Sequence, residues 1–386
     1  MNSQNFAFPL SEYNRRLQRV QEAIAQRRID ALLCHSFSNI CYLTGFQSVM
    51  GTEKYFMLLI PSEGLPSLLG QDFELHNACL GCSVNDRHKF GIHGDSIEAS
   101  RRLLASRKLE AKRLGVELKS RGMTPHCYES LRRALPEADF VDASGLVASV
   151  RRIKSAAEID MIRRAGAITS GAMGRALEEA SIGKTDNDIA AAAMDYCVRQ
   201  GGEFFCLEPI VSLGKRSGIP HCTFARNMIQ PGDLCFLEIG ACLNRYSAAL
   251  IRTLSFGEPE PFQRRVSDEI QACLDLVLEN LRPGVAVREV ASRVRKAWEW
   301  TFTHPELFWN GAYGYSIGLG FPSEWGDADL CIREDDSAVL EPGMVFHCTN
   351  NVRKGEVFGI GISETVAITE SGSEVLTNFP RQLLVK

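Results

Sequence analysis

Residues 13–24 carry apolar side chains at helical spacing, with Leu17, Val20 and Ile24 along one face, and the stretch ends at the polar pair Arg27-Arg28. Residues 29–34 are then short and mostly apolar, a pattern that predicts a strand. Residues 56–60, closed by Pro61, predict a second strand, and residues 101–107 a further helix. Strands alternating with helices over residues 10–150 predict an α/β unit, a sheet covered by helices.

The pattern changes near Arg151-Arg152-Ile153-Lys154-Ser155. Ser155 fits a helix N-cap, Glu158 stands at the capping-box position, and a long helical stretch runs to about Ser181. The boundary divides the chain into residues 1–152 and 153–386. Beyond it the order of elements repeats. Ile182-Gly183-Lys184-Thr185 leads into one helix, and Leu281-Arg282-Pro283-Gly284 into another. Gln230-Pro231-Gly232 opens the strand of residues 234–242, and Glu341-Pro342-Gly343 that of residues 344–350. Counting six residues past each glycine pairs Glu238 with Thr349. Two copies of helix, helix, hairpin and strand predict an α+β domain of pseudo-twofold halves, whose seam is a natural place for a pocket.

The 386 residues suffice for two domains with cores of their own. A hydrophobic content of 45%, a charged content of 23% and a net charge of −4 are those of a globular protein and give no reason to expect nucleic acid as partner. No apolar run approaches the roughly 18 residues of a membrane span. The first six residues lack the basic and apolar regions of a secretory signal, so the expectation is a cytoplasmic protein. Its thirteen cysteines are then reduced thiols, mostly buried. Cys79 and Cys82 form the one close pair, and without a second pair at metal spacing it reads as accidental.

Several side chains could carry chemistry. Glu238 sits inside the apolar run Leu234-Cys235-Phe236-Leu237-Glu238-Ile239, where an ionised carboxylate is costly unless paired. It is either half of a buried ion pair, with Arg252 the obvious partner, or a nucleophile or base tuned by burial. His221 lies in a turn-rich stretch, where surface placement is the ordinary outcome. His347 alternates with apolar residues, as a core histidine does. Glu364 is a second carboxylate in an apolar run, and Arg333 follows the segment that holds Trp325.

From about residue 12 onward the chain resembles the pita-bread family of creatinases and proline-specific aminopeptidases. Tyr42-Leu43-Thr44-Gly45-Phe46, Arg152-Ile153-Lys154-Ser155-Ala156-Ala157-Glu158-Ile159, Gln230-Pro231-Gly232-Asp233, Tyr246 with Arg252-Thr253, and Pro342-Gly343-Met344-Val345-Phe346 carry the resemblance. Peptidases of that family hold two metal ions through two Asp, one His and two Glu. The matching positions here read Glu238, Ala249, Tyr315, Thr349 and Glu364. Two ligand-type side chains cannot build a dinuclear centre, so the resemblance implies the family's metal-free branch, with no cofactor.

Creatinase-like members keep a catalytic histidine where this chain has His221 and clamp a substrate carboxylate with an Arg in a motif like Arg333-Glu334-Asp335. The acids that grip creatine's guanidinium correspond to Ile251 and Thr349. A subgroup, the ectoine hydrolases, is similar in Leu237-Glu238-Ile239-Gly240-Ala241-Cys242, in Gly314-Tyr315-Ser316-Ile317-Gly318, in the segment around Trp325 and in Phe346-His347. The chain departs from that subgroup at residues 47–52, at Asp327-Ala328-Asp329 and at residues 350–353.

The resemblance implies a homodimeric hydrolase that opens the C–N bond of a small zwitterionic cyclic amidine such as ectoine or hydroxyectoine. Glu238 and Glu364 would hold the cationic amidine, Glu238 acting on its carbon, while His221 moves the proton. Arg333 would clamp the carboxylate, with Trp325, Tyr246, Tyr315, His347 and Phe46 as further substrate-binding positions. A creatinase-like amidinohydrolase and a non-catalytic binding module are the alternatives, and a peptidase with a degenerate metal site stands behind both.

Overall fold

Capping decides where the long helices begin. Ser155 accepts the Glu158 N–H and Glu158 accepts the Ser155 N–H, a reciprocal box that starts the helix Ala156–Glu179. Thr185 and Asp188 do the same for Asp186–Arg199. The computed structural model describes residues 6–386. They fall into two compact units, the first ending at Arg151 and the second running from Arg152 to Lys386.

The first unit is a six-stranded sheet in the order Asp86–Phe90, Ser67–Gln71, Phe56–Pro61, Ala31–Cys34, Arg113–Val116, Asp139–Asp142. Ala31–Cys34 is central, antiparallel to Phe56–Pro61 and parallel to Arg113–Val116, and buried along its whole length. The helix Leu10–Gln26 buries Tyr13, Val20 and Ile24, as its helical spacing predicts. Phe46 belongs to this unit's core. Its ring is fully buried and packs at 5.7 Å on Phe37 and 5.4 Å on Phe56, so it offers no face to a substrate. The expectation that it binds substrate is corrected.

The second unit is one curled nine-stranded sheet with helices on its outer surface. The Pro-Gly turns open corresponding strands, Leu234–Leu243 and Val345–Lys354, with Gly232 and Gly343 at φ +86° and +92°, a backbone conformation that a side chain would strain. Each strand then folds back in an antiparallel hairpin, with Tyr246–Ser255 and Phe358–Ile368 respectively. These are the duplicated halves that the repeat predicts.

Alternation along the strands sorts their side chains. Leu237, Ile239 and Ala241 pack outward against Ala172, Ala176 and Ile189 of the first helix pair. Phe346 and Cys348 pack outward against Val266, Ile270 and Val290, in the helices Pro261–Asn280 and Val287–Ala297. The intervening residues, Phe236, Glu238 and Gly240 on one half and His347 and Thr349 on the other, therefore face inward. The curl brings those inner faces together. Ser363 and Thr365 bond to the backbone of Ile251 and Ala249, although two strands separate theirs in the sheet order.

Thirteen free cysteines, ten of them buried, agree with the reading of mostly buried thiols, and Cys79 and Cys82 are unbonded to each other. No helix among the described residues is long and apolar enough to cross a membrane.

Candidate active site

Glu238 is the centre of the inner face. It lies mid-strand opposite Ile210 and Ile251, and among the described residues its carboxylate has no hydrogen-bond or ion-pair partner. Arg252 is not that partner, because its guanidinium turns to Glu364. Burial in this apolar surround pushes Glu238 up from its ordinary value of 4.5 to about 7, against the opposing pull of Arg353. Buried carboxylates without partners are rare in folded proteins, and one left partly accessible on a concave face points to a ligand.

Arg353 is the penultimate residue of the strand Val345–Lys354 and is the nearby cation. Its guanidinium lies 4.2 Å over the Phe236 ring, and Nη1 donates to the carbonyls of Ser217 and Ile219. Among the described residues Nε and Nη2 make no hydrogen bond and no ion pair joins Arg353 to Glu238, so the two opposite charges influence each other without contact.

On the other side of Glu238 stands a wall of aromatic and polar groups. Trp325 packs its ring over Gly240, where an added Cβ would come within 2.5 Å of the indole. Trp325 donates from Nε1 to the Tyr315 hydroxyl at 2.7 Å. That hydroxyl lies 2.8 Å from His347 Nδ1, and His347 Nε2 lies 2.7 Å from Ser363 Oγ. Tyr315 and His347 are cross-strand partners, as are Thr349 and Ser363, which brings all four side chains to one face. Thr349 Oγ1 is buried with no hydrogen-bond partner, a second polar group left open there. Burial drives His347 down to about 3 and holds it neutral, and it pushes the Tyr315 phenol well above its usual value, helped by the charge of Glu238.

Other expected site residues stand elsewhere. Glu364 alternates away from Ser363 into a buried ion pair with Arg252 at 2.6 Å, and both side chains are almost wholly enclosed. Thr377 donates to the same carboxylate and Arg381 lies 3.5 Å from it. Glu364 is thus a structural acid, and the inward-facing neighbour is Ser363. Tyr246 also faces outward, donating to Glu158 at 2.9 Å and tying its strand to the helix Ala156–Glu179. Arg333 is half-exposed on a surface turn, paired with Asp335 at 3.0 Å, so the cation beside Glu238 is Arg353 instead. His221 is exposed at φ +55°, and among the described residues its ring makes no hydrogen bond or ion pair. Its neighbour Cys222 borders Arg353, but the structure does not join His221 to Glu238.

Trp325 belongs to the strand Glu324–Cys331. Two residues on, Asp327 pairs with buried Lys154 at 2.9 Å and accepts from Ser316 at 2.7 Å, which fixes the backbone next to Tyr315. Arg353, Ser363 and Gly240 are the residues that sequence reasoning missed. Gly240 alone carried a usable signal, since a glycine inside an apolar strand marks a close approach. Gly240→Ala should push the Trp325 ring off the strand, costing about 1–3 kcal/mol and loosening the bond to Tyr315. Urea unfolding monitored by tryptophan fluorescence checks this, and an unchanged midpoint and spectrum would contradict it.

A metal pair does not fit these donors. Among the described residues Glu238 is the one carboxylate on the face, both His347 nitrogens are engaged, and Ala249, Ile251 and Thr349 supply at most a hydroxyl. Among the described residues, no three His, Cys, Asp or Glu side chains come together to hold an ion.

Comparison with known proteins gives two family matches. Residues 160–370 match metallopeptidase family M24, and residues 16–153 match the creatinase/prolidase N-terminal domain. An ectoine hydrolase of Halomonas elongata is 30% identical, over 98% of each chain. A Xaa-Pro dipeptidase of Pyrococcus horikoshii is 25% identical, over 96% of this chain and 99% of that one. The structure of an X-Pro aminopeptidase from Thermotoga maritima superposes with a TM-score of 0.84, at 22% identity over 96% of this chain and 99% of the other, which establishes the shared fold.

Proposed function

We infer that this chain, which belongs to metallopeptidase family M24 and carries the creatinase/prolidase N-terminal domain, is a hydrolase that opens a non-peptide C–N bond in a small zwitterionic cyclic amidine, without a metal. Ectoine, hydroxyectoine and related amidine or guanidino acids are the substrate class. The observation that carries this reading is the Glu238 carboxylate, unpartnered among the described residues, with the Arg353 cation near it but not in contact.

A zwitterion matches that pair of charges. An amidinium placed on Glu238 supplies the hydrogen-bond donors that the carboxylate lacks, and a substrate carboxylate placed on Arg353 meets the free Nε and Nη2. With a pKa of about 7, Glu238 populates both protonation states near neutrality, as a group that must gain and lose a proton requires. In its ionised state it acts on the planar amidinium carbon, by direct attack or by activating a water. The similarity to the Halomonas elongata ectoine hydrolase supports the same class.

The competing reading is a metal-dependent Xaa-Pro peptidase, which the similarity to the Pyrococcus horikoshii dipeptidase favours and the donor set opposes. A substrate screen of chelator-treated protein separates the two. Turnover should appear with ectoine, hydroxyectoine or a guanidino acid, unchanged by chelation. Hydrolysis of Xaa-Pro dipeptides that vanishes on chelation and returns with one added metal would establish the peptidase. Binding without turnover across the panel would favour a non-catalytic module.

A further inference from the structure

We propose that Ser363, His347 and Trp325 form a positioning relay that leaves the hydroxyl hydrogen of Tyr315 no acceptor within the wall, so that it is presented to the inner face beside Glu238 as a donor for bound substrate. The proposal rests on the reading of that face as the substrate site.

The argument is a count of hydrogens. The relay has two ends that can only donate, the Ile251 backbone N–H, 2.6 Å from Ser363 Oγ, and the indole N–H of Trp325, 2.7 Å from Tyr315 Oη. Between them lie Ser363, neutral His347 and Tyr315, with one mobile hydrogen each. Only two gaps exist for these three hydrogens, Ser363 to His347 at 2.7 Å and His347 to Tyr315 at 2.8 Å. One hydrogen must therefore leave the relay. His347 cannot release it, because each of its nitrogens already faces a hydroxyl. It leaves from Ser363 or from Tyr315.

Burial decides between them. Ser363 is fully enclosed and among the described residues its hydroxyl has no partner beyond Ile251 and His347, so a hydrogen released there would be stranded. Stranding a buried hydroxyl lowers the population of a state by roughly ten- to a hundredfold. Tyr315 is partly accessible, so a hydrogen released there is open to solvent or to a ligand, with the charge of Glu238 nearby. Ser363 therefore donates to His347 Nε2, His347 donates from Nδ1 to Tyr315, and Tyr315 accepts from both His347 and Trp325. His347 stays neutral and Tyr315 stays protonated through the neutral range, so the count holds there.

Two measurements on the full-length protein test the proposal. Long-range proton–nitrogen correlation of ¹⁵N-histidine-labelled protein, with the His347 signal assigned by its loss in His347→Gln, should show the neutral Nδ1–H tautomer from pH 8 to pH 5. The Nε2–H tautomer would overturn the proposal. This readout needs no substrate, so it stands or falls independently of the hydrolase reading.

On a substrate identified by the screen, Tyr315→Phe should lower kcat about a hundredfold with a smaller change in KM. Ser363→Ala should lower kcat about tenfold and mix the two tautomers, while Ser363→Thr, which keeps the hydroxyl, should restore both. A folded Tyr315→Phe protein with wild-type kcat would overturn the proposal, whereas wild-type kcat in Glu238→Gln would overturn the reading of the site and leave the tautomer result standing.

Discussion

Replacing Glu238 with glutamine should lower kcat by about 10³ or more while making the free protein more stable above neutral pH. Glutamine keeps the shape of the side chain but removes the charge and the nucleophilic oxygen. The stability gain follows from linkage. In the unfolded chain this carboxyl ionises near 4.5, whereas in the folded protein it holds its proton up to about 7. Between those values the folded state binds the extra proton, so its stability falls as pH rises through the window. The gap corresponds to at most about 3 kcal/mol at pH 8, and a side chain that cannot ionise escapes that loss. Turnover of a verified substrate, together with melting temperatures at pH 5 and pH 8, checks both halves. The gain should appear at pH 8 and shrink at pH 5. A folded variant with near wild-type kcat would place the chemistry on another residue.

Glu364→Ala should act in the opposite way, unfolding the protein without touching the reaction. Arg252 is fully enclosed and donates to the carbonyls of Ile251, Ser363, Phe379 and Pro380 as well as to Glu364. Those carbonyls satisfy its N–H groups but do not balance its charge. Removing the acid strands a buried guanidinium, a loss of about 3–5 kcal/mol. The expected result is a large shift of the urea midpoint, with kcat per folded molecule little changed. A normal midpoint with a collapsed kcat would return Glu364 to the substrate.

The two carboxylates show how far the sequence could be read. Both are acids inside apolar strands, Glu364 enclosed and Glu238 partly accessible. Their difference is a partner, and the partner follows from which face each side chain takes. Glu238 was readable as a candidate because an acid in an apolar run needs an explanation, yet its pairing with Arg252 was an equally good one. The sheet resolved it by giving Arg252 to Glu364.

What the sequence determined by itself is local or periodic. The helix starting at Ser155 follows from the capping box, the paired strands follow from the two Pro-Gly turns, and the duplicated order of elements follows from their repetition. These depend on residues close in the chain. Tertiary structure alone decided the composition of the site. A strand turns successive side chains to opposite faces, so a shift of one residue exchanges Ser363 for Glu364. Only the register that sets Thr349 against Ser363 settles which one looks inward. The choice of Arg353 over Arg333 has the same origin. Both are arginines beside charged or polar neighbours in sequence, but the curl of the sheet carries Arg353 over Phe236 toward Glu238 and leaves Arg333 on a turn in water, where its charge is satisfied by Asp335 and solvent.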